Sequence, residues 1–257
     1  MEISIQSITH QFFNGKTTHA LQDIHLQINH HQFVALIGPS GCGKSTLIRL
    51  IANLLTPTEG QIRVGNLHPQ NAVENGQIAW MAQSPALLPW LTVEGNLHLA
   101  DRFQKDKRHK RLSVSQVLKR VGLESAADQY PFALSGGMQQ RLALARLLLQ
   151  NAPVWLMDEP FAALDELTRE KLTNELFSLW QDYEPTVLWI THNIHEAIKL
   201  SDRILVFSGQ PGQIIADIPN NIPHPRVENN PDFQQLLSEL RHILHQDNQE
   251  TLNESGQ

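Results

Sequence analysis

Cysteine is almost missing from this 257-residue sequence; Cys42 is the only one. A single thiol excludes an intramolecular disulfide and suits a reducing compartment. Long apolar runs are missing too. No stretch approaches the roughly 18 consecutive apolar residues that a spanning helix needs, so the chain is not expected to cross a bilayer by itself. Basic residues are outnumbered: Lys and Arg total 20 against 26 Asp and Glu, a formal net charge of −6. That balance argues against a general nucleic-acid binder, because phosphate backbones attract basic surfaces. The opening segment MEISIQSITHQ has neither a basic nor an apolar region, and no secretory signal is expected. No internal repeat, low-complexity segment or heptad run is visible. Thirteen histidines invite a metal reading. The i, i+3 pairs His192/His195 and His242/His245 have no cysteine or third ligand beside them, and no H-E-x-x-H string occurs, so structural zinc is not expected.

What is present is globular, with 41% hydrophobic and 18% charged residues. The length suits one large α/β domain, or one domain with a small appendage. Residues 3–8 and 24–28 alternate loosely and read as edge strands, with a turn at Asn14-Gly15. The short apolar runs 33–37, 154–157 and 187–190 read as buried strands, and a further strand is expected at 203–207. Between them, Leu47, Ile48, Leu50, Ile51, Leu54 and Leu55 recur at helical spacing until Pro57 and Gly60. Helices are also expected over 114–121 and 138–150, and an amphipathic one carries Phe233, Leu236, Leu237, Leu240, Ile243 and Leu244. Strands alternating with helices imply a mainly parallel sheet covered on both faces. The basic run 105–111 reads as a solvated face or loop.

Two strings carry chemistry. Gly38-Pro39-Ser40-Gly41-Cys42-Gly43-Lys44-Ser45-Thr46 fits G-x-x-x-x-G-K-[ST] between an expected strand and an expected helix. Its glycines permit a tight loop whose N–H groups turn inward on phosphate oxygens, and the helix N-terminus adds partial positive charge. Lys44 is expected on the β- and γ-phosphates of a nucleotide and Ser45 on Mg²⁺. Cys42 inside this loop is either a small filler or a thiol activated near the helix N-terminus. The second string is the apolar run ending in Asp158-Glu159. In P-loop NTPases an Asp at such a strand end holds the Mg²⁺ shell. Glu159 then stands as general base on the attacking water.

The segment Leu134-Ser135-Gly136-Gly137-Met138-Gln139-Gln140-Arg141 narrows the class. It resembles the LSGGQ signature of ATP-binding cassette (ABC) ATPases. Physically, Ser135 and the two glycines before a long helix form a second N-terminal anion site. The resemblance, running from about residue 3 to about 212, implies a P-loop cassette with a RecA-like parallel sheet core. It also implies an antiparallel β subdomain and a helical signature subdomain at about 84–150. The expected organisation is therefore a cassette over 1–212, a short extension with one helix over 213–245, and a disordered tail over 246–257. The resemblance further implies that the cassette hydrolyses ATP with Mg²⁺, held by Ser45, Gln83 and Asp158. The signature, with Ser135, Gly136, Gly137 and Gln139, would bind the γ-phosphate of ATP held by a second copy. Gln83 matches the Q-loop glutamine, Ala163-Leu164-Asp165 the D-loop and His192 the switch histidine. Phe12 matches the aromatic that stacks on adenine; its neighbour Phe13 could serve instead, or either could be core. Asn193 stands where the family often has Asp. Trp80-Met81-Ala82-Gln83 replaces the commoner Phe before the glutamine; neither departure touches the expected chemistry.

Pro85-Ala86-Leu87-Leu88-Pro89-Trp90-Leu91-Thr92-Val93 directly follows this Q-loop and is unusually apolar for an acidic chain. It reads as a partner surface or as a lid over the core. The string is similar to the nitrate/sulfonate/taurine-type importer ATPases, a group that includes thiamine-precursor uptake. Pro211-Gly212-Gln213-Ile214 and Pro223-His224-Pro225-Arg226 resemble that group's later elements. The resemblance implies a peripheral subunit at the cytoplasmic face of the membrane. Loop 85–93 would meet a permease, a solute-binding protein would act indirectly, and no nucleic acid would be bound. The competing classes are an exporter ATPase and a soluble cassette ATPase acting on nucleic acid.

Overall fold

The computed structural model of the chain describes residues 1–13, 15–102, 112–162 and 164–255. The run 105–111, Asn14 of the expected turn and Ala163 of the D-loop lie outside these residues. The chain divides into two compact units, Met1–Gln70 with Thr186–Gln257, and Asn71–Pro185.

The first unit opens with β1 (Ile3–Phe13), β2 (Thr17–Ile28), β3 (Phe33–Ile37), α1 (Lys44–Ile51) and β4 (Glu59–Val64). β1 is the middle strand of an antiparallel three-stranded sheet, with Ile3 opposite both Ile28 of β2 and Val64 of β4. Ile3, Ile5, Ile28, Ile62 and Val64 are buried. This sheet is the expected antiparallel subdomain.

The chain then forms α2 (Pro69–Glu74), β5 (Ile78–Met81), α3 (Val93–Arg102), α4 (Val114–Arg120), α5 (Gly136–Gln150), β6 (Val154–Asp158) and α6 (Glu166–Tyr183). In this second unit β5 and β6 pair parallel, with Met81 opposite Met157. The Ser113 side chain caps α4 and Gln116 reciprocates, a capping box that fixes where that helix starts.

The first unit resumes with β7 (Thr186–Ile190), α7 (Ile194–Leu200), β8 (Arg203–Phe207), β9 (Ile214–Pro219) and α8 (Pro231–Ser255). β3 lies between β7 and β8, parallel to both, and every one of its residues is buried. A strand covered on both edges and both faces needs an unbroken apolar run, which Phe33–Ile37 supplies.

Four features differ from expectation. The apolar periodicity carries on to Leu55, but α1 stops at Ile51. Asn53 adopts a left-handed φ of 55°. Asn53 N–H bonds Leu50 O and Leu54 N–H bonds Arg49 O, so a Schellman motif ends the helix before Pro57 is reached. Leu54 is consequently exposed. The extension after residue 212 carries a strand besides the expected helix: β9 pairs antiparallel with β8, and Phe233, Leu237 and Leu240 of α8 are buried. Finally, helical backbone continues to Ser255, where a disordered tail is expected from composition. The second unit also takes in β5, β6 and α6 and so exceeds the expected 84–150 insertion.

Candidate nucleotide site

In the first unit the phosphate loop leaves the C-terminal end of β3 and enters α1. Parallel strands present ligand sites at their carboxyl ends, where loops diverge and helices begin. Gly43 caps α1 with φ 97°, and a Cβ there would come within 2.4 Å of Ala20 O. Only glycine fits this left-handed, closely packed position. Lys44 is buried; its Nζ donates to Gly38 O at 2.9 Å, Pro39 O at 2.7 Å and Cys42 Sγ at 3.2 Å. The ammonium is thus held inside the loop by its own carbonyls. Cys42 is buried and its sulfur accepts from Lys44, which fits the filler reading and leaves no open thiol.

The loop is backed by a residue whose place sequence alone does not explain. Gly212 N–H donates to Ala20 O, and its own carbonyl accepts from Gln22 N–H. A Cβ on Gly212 would lie 1.9 Å from Cys42 O. The Pro211-Gly212 element therefore packs directly against the phosphate loop.

His192 follows β7, the neighbour of β3, and Thr191 N–H donates to Leu36 O at 3.3 Å. The imidazole is exposed. Its flanks are fixed: Thr191 Oγ1 donates to the buried Glu196 carboxylate at 2.7 Å, and Asn193 Oδ1 accepts from His195 N–H and Glu196 N–H. Asn193 serves as helix cap here, a task Asn and Asp perform equally well, so this departure from the family is a conservative one. His195 Nδ1 lies 3.2 Å from the Glu228 carboxylate.

Phe12 and Phe13 end β1. Phe12 packs edge-on against His10, with ring centroids 4.7 Å apart, whereas Phe13 is 78% exposed.

The second unit gathers the acidic residues. Gln83 and Asp158 follow or close the paired strands β5 and β6. Asp158 is buried; Glu159 holds a left-handed φ of 45°, a costly backbone state for a non-glycine residue and one that gathers at functional sites. Gln83 Nε2 donates to Glu159 Oε2 at 3.4 Å, so the expected base and Q-loop glutamine do meet. Gln140 of α5 in turn donates to Gln83 O.

Ser135 caps α5, its Oγ accepting from Met138 N–H at 3.3 Å, with Gly136 and Gly137 as the first helical residues. A Cβ on Gly137 would meet Thr168 Cγ2 at 2.9 Å. Gln139 of the signature is bonded to the chain just before it. Its amide donates to Pro131 O and Leu134 O, so it braces the turn before the signature. Asp165 caps α6 by accepting from Thr168 N–H, and that bond holds its carboxyl below the ordinary range. Arg169, which the sequence reading passes over, donates to Phe161 O and Leu164 O and fixes the D-loop backbone.

Loop 85–93 is an ordered, outward-facing surface. Trp90 is 69% exposed, which rules out the lid reading. Asn96 of α3, buried and also missed in the sequence, stitches the loop. It accepts from Leu88 N–H and donates to the carbonyls of Leu88, Leu91 and Thr92. Only the tertiary contact reveals it, since an isolated Asn in a helix carries no signal. Arg146 donates to Ala86 O, and burial pushes its guanidinium pKa down.

A glycine-rich loop closing on a buried lysine, with a buried Asp ending a strand and a strained Glu after it, defines a P-loop nucleoside triphosphatase. Comparison with known proteins narrows this class. The ABC transporter family model matches residues 21–162. An uncharacterized ABC transporter ATP-binding protein of Methanocaldococcus jannaschii is 37% identical over 95% of this chain and 91% of its own. An aliphatic sulfonates import ATP-binding protein of Bacillus cereus is 40% identical over 93% of this chain and 94% of its own. One of Pseudomonas savastanoi pv. phaseolicola is 42% identical over 91% and 92%. A dimeric ATP-binding cassette in a post-hydrolysis state, bound to ADP and Pi, superposes with a TM-score of 0.75 at 30% identity. It covers 86% of this chain and all of its own. The chain belongs to the ABC transporter family and is an ATP-hydrolysing cassette subunit. No helix among the described residues is long and apolar enough to cross a membrane.

Proposed function

We propose that this chain energises uptake of a small solute through a separate membrane permease, at the cytoplasmic face, and that the solute is of the aliphatic sulfonate class. The observation that carries this reading is near-full-length similarity, at 40–42% identity, to proteins named for aliphatic sulfonate import. The exposed, internally stitched loop 85–93 supports a permease contact, because an apolar indole held out in water is stabilised by a partner that covers it.

Each role rests on a residue already described. Lys44 and the phosphate-loop amides bind and orient the β- and γ-phosphates. Ser45, Gln83 and Asp158 would hold Mg²⁺, since hydroxyl, amide and carboxylate oxygens are the donor types this hard cation takes. When bound, Mg²⁺ supplies neutralisation of phosphate charge. Glu159, oriented by the Gln83 amide, takes the proton of the attacking water. His192 holds the γ-phosphate. Ser135, Gly136 and Gly137 of one copy close on the nucleotide of the other, and Asp165 lies at that dimer contact. Catalysis is then mainly positioning and charge stabilisation. A solute-binding protein would deliver solute to the permease.

Deleting the gene and following uptake of labelled ethanesulfonate, nitrate and a thiamine precursor tests the assignment. Loss of sulfonate uptake alone supports it. Unchanged sulfonate uptake with loss of another solute overturns the solute class. No uptake defect with any solute overturns the importer reading. Trp90→Asp separates the permease contact from catalysis: permease co-purification is lost while ATP turnover of the isolated chain is retained.

A further inference from the structure

The segment after β9 is bolted to α7, the short helix that begins two residues after His192. Arg226 is buried in this junction. Its Nη1 donates to Ile198 O at 3.1 Å and Ser201 O at 2.6 Å, the carbonyls at the C-terminal end of α7. Asn220 Nδ2 donates to the same two carbonyls at 2.8 and 2.9 Å. Carbonyls ending a helix have no partner within it, and here two side chains from one segment satisfy them. Asp202, 3.9 Å from Arg226, accepts from Phe33 N–H and so ties the junction to the first residue of β3.

The other face of α7 is held by Glu228. Its carboxylate lies 2.9 Å from Lys199 Nζ and 3.2 Å from His195 Nδ1, bridging successive turns of the helix. Phe233 of α8, fully buried, stacks obliquely on His195 with centroids 5.9 Å apart. At its start α7 is capped by Asn193, directly after His192. Seven residues make fewer than two turns of helix, too little to hold a fixed direction alone. Its orientation therefore comes from what grips it.

We infer that residues 220–233 form a brace that sets the position of His192, with Glu228 as its positioning residue. The inference rests on the reading of His192 as the γ-phosphate contact. The extension is thus a working part of the ATPase, and removing its grip lets the switch histidine wander from its productive placement. A small misplacement of a group that contacts the reacting phosphate lowers turnover without abolishing binding.

The test is a double-mutant cycle in the full-length chain, reading kcat and KM for Mg-ATP. Glu228 is half-exposed, so Glu228→Ala keeps the fold; Arg226→Ala, which removes a buried guanidinium and the backbone bonds it makes, is avoided. Glu228→Ala should lower kcat about five-fold while KM moves less than about two-fold. Glu228→Asp should recover part of the loss. In a His192→Ala background the Glu228→Ala change should have no further effect on kcat, since the group it positions is gone. Equal fold-losses in both backgrounds, or a loss seen only in KM or Tm, would overturn the brace. Full turnover in His192→Ala alone would instead overturn the underlying reading of His192, which keeps the two failures distinct.

Discussion

Individual residues show where one side chain decides a property. Phe12 and Phe13 are neighbours with opposite surroundings, one packed on His10 and one exposed. If Phe12 stacks on adenine, Phe12→Ala weakens ATP binding about ten-fold, a loss of one good stacking contact. Phe13→Ala then leaves affinity unchanged. Nucleotide titration followed by calorimetry distinguishes them, and the reverse ranking transfers the role to Phe13. His10 gives a pH dependence. Burial lowers its pKa below the ordinary 6.5, so the folded chain resists protonation more than the unfolded one. Between the depressed value and 6.5 the unfolded state binds more protons, and stability therefore falls as pH drops through this window. It is fully present above 6.5. His10→Phe should flatten the change in Tm between about pH 7.5 and 5.5 that the parent protein shows. At this scale the motif residues are legible from sequence, because Lys44, Asp158 and Glu159 sit in strings whose chemistry dictates residue type. Gln139 is not: its amide is turned back on Pro131 and Leu134, and only the backbone path there makes that visible.

Elements were legible where burial is two-sided. Phe33–Ile37, Val154–Asp158 and Thr186–Ile190 lie where their apolar runs place them, since a central strand tolerates no polar face. The end of α1 was not, because a left-handed Asn competes with apolar spacing and wins through two backbone bonds. The contact between the Pro211-Gly212 element and the phosphate loop is likewise non-local. Gly212→Ala should destabilise the fold by about 2–3 kcal/mol, through overpacking against Cys42 O, and weaken ATP binding with it. Gly136→Ala, whose Cβ would meet nothing within 4 Å, should leave Tm unchanged. Thermal melts of the two variants, with and without nucleotide, check both outcomes.

At the scale of the whole molecule, the comparison structures are dimeric, and the proposed function needs a second copy of this chain. Glu159→Gln removes the base while retaining a similar shape and should trap an ATP-bound dimer. Size-exclusion chromatography should show about twice the parental mass with ATP, and turnover should fall by about a hundred-fold or more. Turnover at the parental rate would disprove the role of Glu159. The net charge of −6 fits such a molecule, which needs positive potential at one lysine and two helix N-termini rather than over its surface. Because phosphate binding and two-sided burial restrict residue type at short range, the sequence by itself determined the class, the phosphate-loop motif and the buried strands Phe33–Ile37, Val154–Asp158 and Thr186–Ile190, whereas β4, β5 and β9 left no such signal. The tertiary structure alone decided that Gly212 backs the phosphate loop, that Asn96 stitches an exposed apolar loop, and that Arg226 and Glu228 grip the helix after His192. Those partners lie far apart in the chain or are bonded through backbone carbonyls, which every residue carries and no side-chain pattern records.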